Sequence, residues 1–277
     1  MSAIPLNPGW DARLELGYQR RGERTVLVHR RHHGPLRVQK PLYPEGEGVC
    51  HTLVLHPPAG IVGGDRLALT VALESDAHAL LTTPGAAKWY RSGGARAHQQ
   101  VALRVAERGC VEWLPQEAIV YDGAQARQAL KVELARDARF LGLDILCLGR
   151  RASGEHFAHG RFGISSSIDQ LGVPLWREWG TLQGGAAMLA HPTGLRGAPV
   201  CATVLAAGIA DTTTLVQALR AALPAGDWSA TALPGVLVAR WLGQAGEAAR
   251  HWFAQLWQLL RPALCGRPAQ LPRIWST

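Results

Sequence analysis

Apolar residues alternate with small or polar ones at Leu67, Leu69, Val71 and Leu73, the period of two that marks a strand with one buried face. Glu74-Ser75-Asp76 breaks the alternation with turn formers, and Ala77 to Leu81 runs on as a second strand. The same figure returns at Val101 to Leu114 around Glu107-Arg108-Gly109, and at Leu130 to Leu143 around Arg136-Asp137-Ala138. The copies are offset by 32 and 29 residues, and each reads as a β-hairpin. A lone hairpin cannot bury its apolar face, so three in succession predict stacked β units. Neither linker is apolar with a period of 3.6, which argues against βαβ crossovers. The expected fold is mainly β, a layered core rather than a doubly wound sheet.

Upstream, Trp10 to His29 reads as two strands around the charged turn Arg20-Arg21-Gly22-Glu23. His32 and His33, adjacent on a strand, point to opposite faces and do not suit one metal ion. Residues 34–48 hold three prolines and read as a long loop, as do the Gly-rich runs 149–163 and 184–197. Val200 to Gly208 reads as a buried strand and Val236 to Val238 as another. Asp211 is placed to cap a helix that Pro224 ends, and a second helix is expected from Gln244 to Leu260, stopped by Arg261-Pro262. No composition break divides the chain, so residues 1–277 are expected to form one domain.

Composition narrows the function classes. Of 277 residues 47% are apolar and 18% charged, enough to bury a sizeable core. The net charge of +8 comes almost wholly from arginine, since the lysines are Lys40, Lys88 and Lys131 alone. A nucleic-acid partner would fit that charge, and so would an acidic protein, but the ten tryptophans do not interleave with basic runs as a base-stacking platform requires. The five cysteines form no C-x-x-C pair, and the odd number fits reduced thiols in the cytosol. Residues 1–16 show no basic region leading into an apolar run, and no stretch is long enough to cross a bilayer. No nucleotide-binding or zinc-protease motif and no nucleophile elbow is present, which leaves a hydrolase without its nucleophile.

Two local features carry chemistry. The loop His56-Pro57-Pro58-Ala59-Gly60, followed by Gly63-Gly64-Asp65, brings backbone close to something and ends on a carboxylate. Asp144 sits in the apolar strand Leu141 to Leu148, where a carboxylate is costly unless paired or hydrated. Either Arg150 or Arg151 pairs with it, or it faces a water-filled interior passage.

The run from Pro57, Pro58, Gly60 and Gly64 through Thr83, Pro84, Gly85, Lys88, Tyr90 and Arg91 resembles the signature of the urease accessory protein family UreD, called UreH in some organisms. The resemblance continues at Leu114-Pro115-Gln116-Glu117, at Leu143-Asp144-Ile145 and Leu148-Gly149-Arg150, at Gly154-Glu155, and at Leu271-Pro272-Arg273-Ile274-Trp275. Ala59 stands where the family often has glycine. The resemblance implies layered β-sheets winding helically, with about two helices near the C-terminus. It also implies a cytoplasmic, non-enzymatic scaffold that binds apo-urease and the UreF–UreG complex, UreG being the GTPase that carries nickel. No nucleic acid, membrane or permanent cofactor is implied; Ni²⁺ would pass transiently. The family's proposed internal route would place carboxylates at Asp65, Asp144 and Glu178, and Arg273, Ile274 and Trp275 would serve partner contact. Carboxylates suit such a role because they release a divalent ion that His or Cys would retain.

Overall fold

The computed structural model describes residues 9–276; the first residues of the N-terminal reading lie outside it. Two β-sheets face each other. In the first, the strand order is Val173–Gln183, Arg161–Gln170, Gln125–Leu134, Ala97–Val105, Arg66–Leu73, Asp11–Arg21 and Arg24–His33. In the second, the main path runs Trp228–Leu233, Val236–Gly243, Val200–Ala207, Arg139–Leu148, Cys110–Leu114, His78–Thr82, Cys50–Leu55 and Arg37–Val38.

The repeated units are not hairpins. Arg66–Leu73 and His78–Thr82 lie in opposite sheets, and the turn between them swings the chain across the core. Each strand pairs in parallel with its own copies: Leu69 with Val101 and Val101 with Leu130 in one sheet, His78 with Cys110 and Cys110 with Arg139 in the other. The sequence offsets are thus the pairing register. Two apolar strand faces joined by a short turn bury more by facing each other across a core than by lying side by side. The stacked turns reinforce this, with Asp76, Arg108 and Asp137 each at positive φ and Arg108 forming a bidentate pair with Asp76. The result is solenoid-like winding, mainly β as the pattern implies.

Burial explains why the two strands of each unit read differently. The first sheet has one wet face, and Arg66–Leu73 alternates accordingly. The second is covered on both faces, so His78–Thr82 and Cys110–Leu114 are buried throughout. Its outer cover is helical. Asp211 accepts a hydrogen bond from Thr214 N–H (2.9 Å) and starts the helix Thr212–Ala222. The longer helix spans Gly246–Cys265 and places Trp252, Phe253, Leu256, Trp257 and Leu260 on the sheet. Pro262 does not end it, contrary to the sequence expectation. Its ring lies on the exposed side, one turn beyond the exposed Gln258, where the freed carbonyl can tilt into water, and the helix stops at Gly266 in the left-handed region.

A buried charge cluster fastens this helix. Arg261, with 0% exposure, donates to Glu112 and Glu45, and Glu112 also accepts from Trp257 Nε1 (3.0 Å) and meets His78 Nε2 (2.9 Å). Burial alone would raise both acids, but His51 and Arg261 outweigh it at Glu45 and hold it at about 2. At Glu112 His78 and Arg261 likewise outweigh burial, and its pKa is lowered. Both carboxylates are saturated.

Candidate functional site

A cavity of about 810 Å³ lies between the sheets. Parallel register builds its walls as rows: Leu67, Gln99, Gln128 and Ile164 are successive partners, and so are Leu69, Val101, Leu130 and Ser166. Entirely apolar rows would close on the opposite sheet as dry core. Here Gln99, Gln128 and Ser166 put polar groups inward, and Asp144, Thr203 and Cys201 line the wall from the opposite sheet.

Asp144 faces this cavity. The arginine pairing that the sequence allowed is not made, because Arg150 is bonded to Glu155 and Arg151 to His156. Its partner is Gln128 of the opposite sheet, whose Nε2 donates to Oδ1 at 3.1 Å. Burial raises its pKa, the Gln128 bond opposes that, and the nearby Glu178 charge adds to it. Glu178, on the edge strand opposite Ser166, lines the same cavity and is bonded to Arg240, with Ser166 Oγ at 3.5 Å. The structure therefore brings Asp144 and Glu178 to one polar region, spanned by two inter-sheet links.

Asp65 is elsewhere. Its carboxylate, 0% exposed, accepts from Trp10 N–H (2.8 Å) and Val62 N–H (2.9 Å) and closes its own loop, where Gly64 takes φ 98°. Asp65 is not in the cavity wall, although its charge is felt by His56, which is. His56 was not singled out by the sequence reading. Its Nε2 has no hydrogen-bond partner among the described residues, and burial lowers its pKa against the opposing Asp65 charge. An imidazole neutral near pH 7 is a lone-pair donor. Cys201 also lines the wall, but burial pushes its pKa up to about 12, so it presents a thiol and not a thiolate.

The signature residues divide between wall and frame. Thr83, Pro84, Gly85 and Lys88 line the cavity, and Lys88 forms no ion pair among the described residues. Pro57 and Pro58 are exposed. Gly60 is required by packing, since a Cβ there would stand 1.9 Å from the Tyr90 ring. Tyr90 packs edge-on against Tyr121, and Arg91 pairs with Asp122 (3.2 Å), joining neighbouring coils. Ala59 sits at φ 61°, the conformation that explains a glycine at this point of the loop.

At the C-terminus, Arg273–Ser276 forms one 3₁₀ turn. Trp275 is spent on its own chain: Nε1 donates to Thr82 Oγ1 (2.8 Å), and the ring lies against Phe253 and Trp257. Arg273 is exposed and Ile274 half-buried. Gln128 and Arg240 lie outside the sequence reading because nothing local marks them, and His56 enters it only as the first residue of its loop; the pairing register and the winding of the chain bring them to the cavity.

A family model described as UreD urease accessory protein matches residues 11–276. The chain is 55% identical over 276 residues to the urease accessory protein UreD of Dechloromonas aromatica (strain RCB), covering 98% of this chain and 96% of that protein. It is 54% identical over 271 residues to that of Azoarcus sp. (strain BH72), covering 98% and 95%. To the protein of the same name from Pseudomonas aeruginosa (strain PAO1) it is 49% identical over 275 residues, covering 99% and 98%.

Proposed function

The chain belongs to the UreD urease accessory protein family, and from that premise we propose that it is a non-enzymatic scaffold that assists nickel delivery into apo-urease. Its relatives carry the name of an accessory protein, which supports a role in urease maturation. The finer reading is that it engages the apoprotein together with UreF and, through UreF, the nickel-carrying GTPase UreG, in the cytoplasm. No helix among the described residues is long and apolar enough to cross a membrane.

One observation carries the nickel part of this reading: the inter-sheet cavity with Asp144 and Glu178 in its wall. Nickel here is cargo. Among the described residues Asp144 has one hydrogen-bond donor, Gln128, so lone pairs remain for a passing cation. Two carboxylates and a thiol that stays protonated hold a divalent ion loosely. His56 extends the donors toward the Asp65 loop.

Asp144→Leu tests it. The variant keeps the apolar character of its strand and the outer surfaces. It should still assemble with UreF, UreG and urease, and yield urease with several-fold less nickel and activity. Complex recovery by size exclusion and nickel per urease site are measured together. Full nickel loading with an intact complex removes Asp144 from the route; loss of the complex makes it structural.

A further inference from the structure

The winding that converts sequence offsets into register also brings together three residues that the cysteine spacing kept apart. His78 and Cys110 open their strands and are direct partners in the parallel ladder, so their side chains share one face of the second sheet. That face is the one the long helix covers, and Cys265, its last residue, lands on the pair. Cys110 Sγ and Cys265 Sγ are 3.2 Å apart. A ring nitrogen of His78 and the two sulfurs all lie within 4.8 Å of one another.

We propose that His78, Cys110 and Cys265 supply three ligands of a binding site for a thiophilic divalent cation of the zinc class, with a water or other small ligand to complete the tetrahedron, clamping the C-terminal helix to the sheet. Zn–S bonds of about 2.3 Å at a tetrahedral angle put two sulfurs about 3.8 Å apart, so the pair, now at 3.2 Å, needs to open by about 0.6 Å. Glu112 supplies the supporting contact that metal-bound imidazoles characteristically have. It stands two residues after Cys110 on the same face and engages His78 Nε2 at 2.9 Å, which fixes the ring beside the two sulfurs. Glu112 is itself fixed by Arg261 and Trp257 from the helix that carries Cys265. Binding displaces three protons, one from each thiol and one from the His78 imidazolium that Cys265 and Glu112 stabilise against burial. None of the three residues lines the inter-sheet cavity, and the site does not depend on the nickel reading.

The full-length protein, reduced and metal-free, is incubated with Zn²⁺, desalted, and its zinc measured by mass spectrometry alongside thermal unfolding. About one retained zinc per chain and a raised Tm are expected. Cys110→Ser and Cys265→Ser should each lower retention at least tenfold, while Cys50→Ser should not. Because a serine variant in the core can misfold, Co²⁺ is also titrated into the unmutated protein. Tetrahedral Co²⁺ with thiolate charge-transfer absorption is the expected signature. Zinc retention no higher than in Cys265→Ser, or an octahedral cobalt spectrum without thiolate bands, overturns the proposal. A mass two hydrogens low in protein that takes up no metal after reduction also overturns it, since the pair would then be a disulfide.

Discussion

Glu112 and Asp144 are both carboxylates set in apolar strands of the same sheet, and their surroundings separate them. Glu112 is wholly buried and fully satisfied by Arg261, Trp257 and His78, so its charge is fixed and its pKa lowered. Asp144 faces a cavity, has Gln128 as its donor, and its pKa is raised. A carboxylate saturated by its own chain is structural; one left with spare lone pairs on open space is available to a ligand.

Removing Arg261 should have the largest effect. Arg261→Ala leaves Glu112 and Glu45 buried without the guanidinium that joins them, each with a histidine as its remaining partner, at a cost of about 3–5 kcal/mol. Thermal unfolding should show Tm lowered by roughly 10 °C or more, or no soluble protein at all. A shift of a degree or two would mean that the cluster is looser than its contacts imply.

Trp275→Ala comes next. It removes the hydrogen bond to Thr82 and the packing on Phe253 and Trp257, at a cost of about 2–3 kcal/mol. Stability should fall in step with any loss in a UreF pull-down. A pull-down loss at unchanged Tm would return Trp275 to the partner surface, where the family resemblance placed it.

The smallest effect sharpens the comparison from the other side. A carboxyl whose pKa is raised on folding favours the native state while protonated, and that contribution is lost as pH rises through the folded pKa. Asp144→Asn should therefore raise Tm at pH 7 by roughly 1–3 °C, and the gain should vanish below the ordinary aspartate range. Unfolding scans at pH 7 and pH 3.5 measure it; a loss of stability at pH 7 would show that Asp144 is paired as tightly as Glu112.

Much of the fold was legible because the repeat is written in the side chains. Leu69, Val101 and Leu130 mark the register, and Asp211 marks a helix start. The sequence did not disclose that the strand pairs face each other instead of hydrogen-bonding, since a tight turn and an arch share turn residues at Glu74–Asp76. The strands Arg161–Gln170 and Val173–Gln183 also passed unmarked, because Ser165-Ser166-Ser167 and an exposed edge carry little apolar alternation. Asp144 was legible as an odd carboxylate in an apolar run; its neighbours Gln128 and Arg240, and the meeting of Cys110 with Cys265, were not. Those contacts depend on tertiary winding, which no local spacing encodes.

The Arg261 fastening also bears on how the chain is made. Glu45 and Glu112 leave the ribosome long before the guanidinium that neutralises them, and the helix that covers the second sheet comes last. Until then the nascent solenoid has two acids held by His51 and His78 alone and an apolar sheet face without its cover. Contacts this distant in sequence form slowly. Folding is therefore completed only once the helix Gly246–Cys265 has been made, and a chain stopped short of Arg261 has an open sheet face where the finished protein has a closed one.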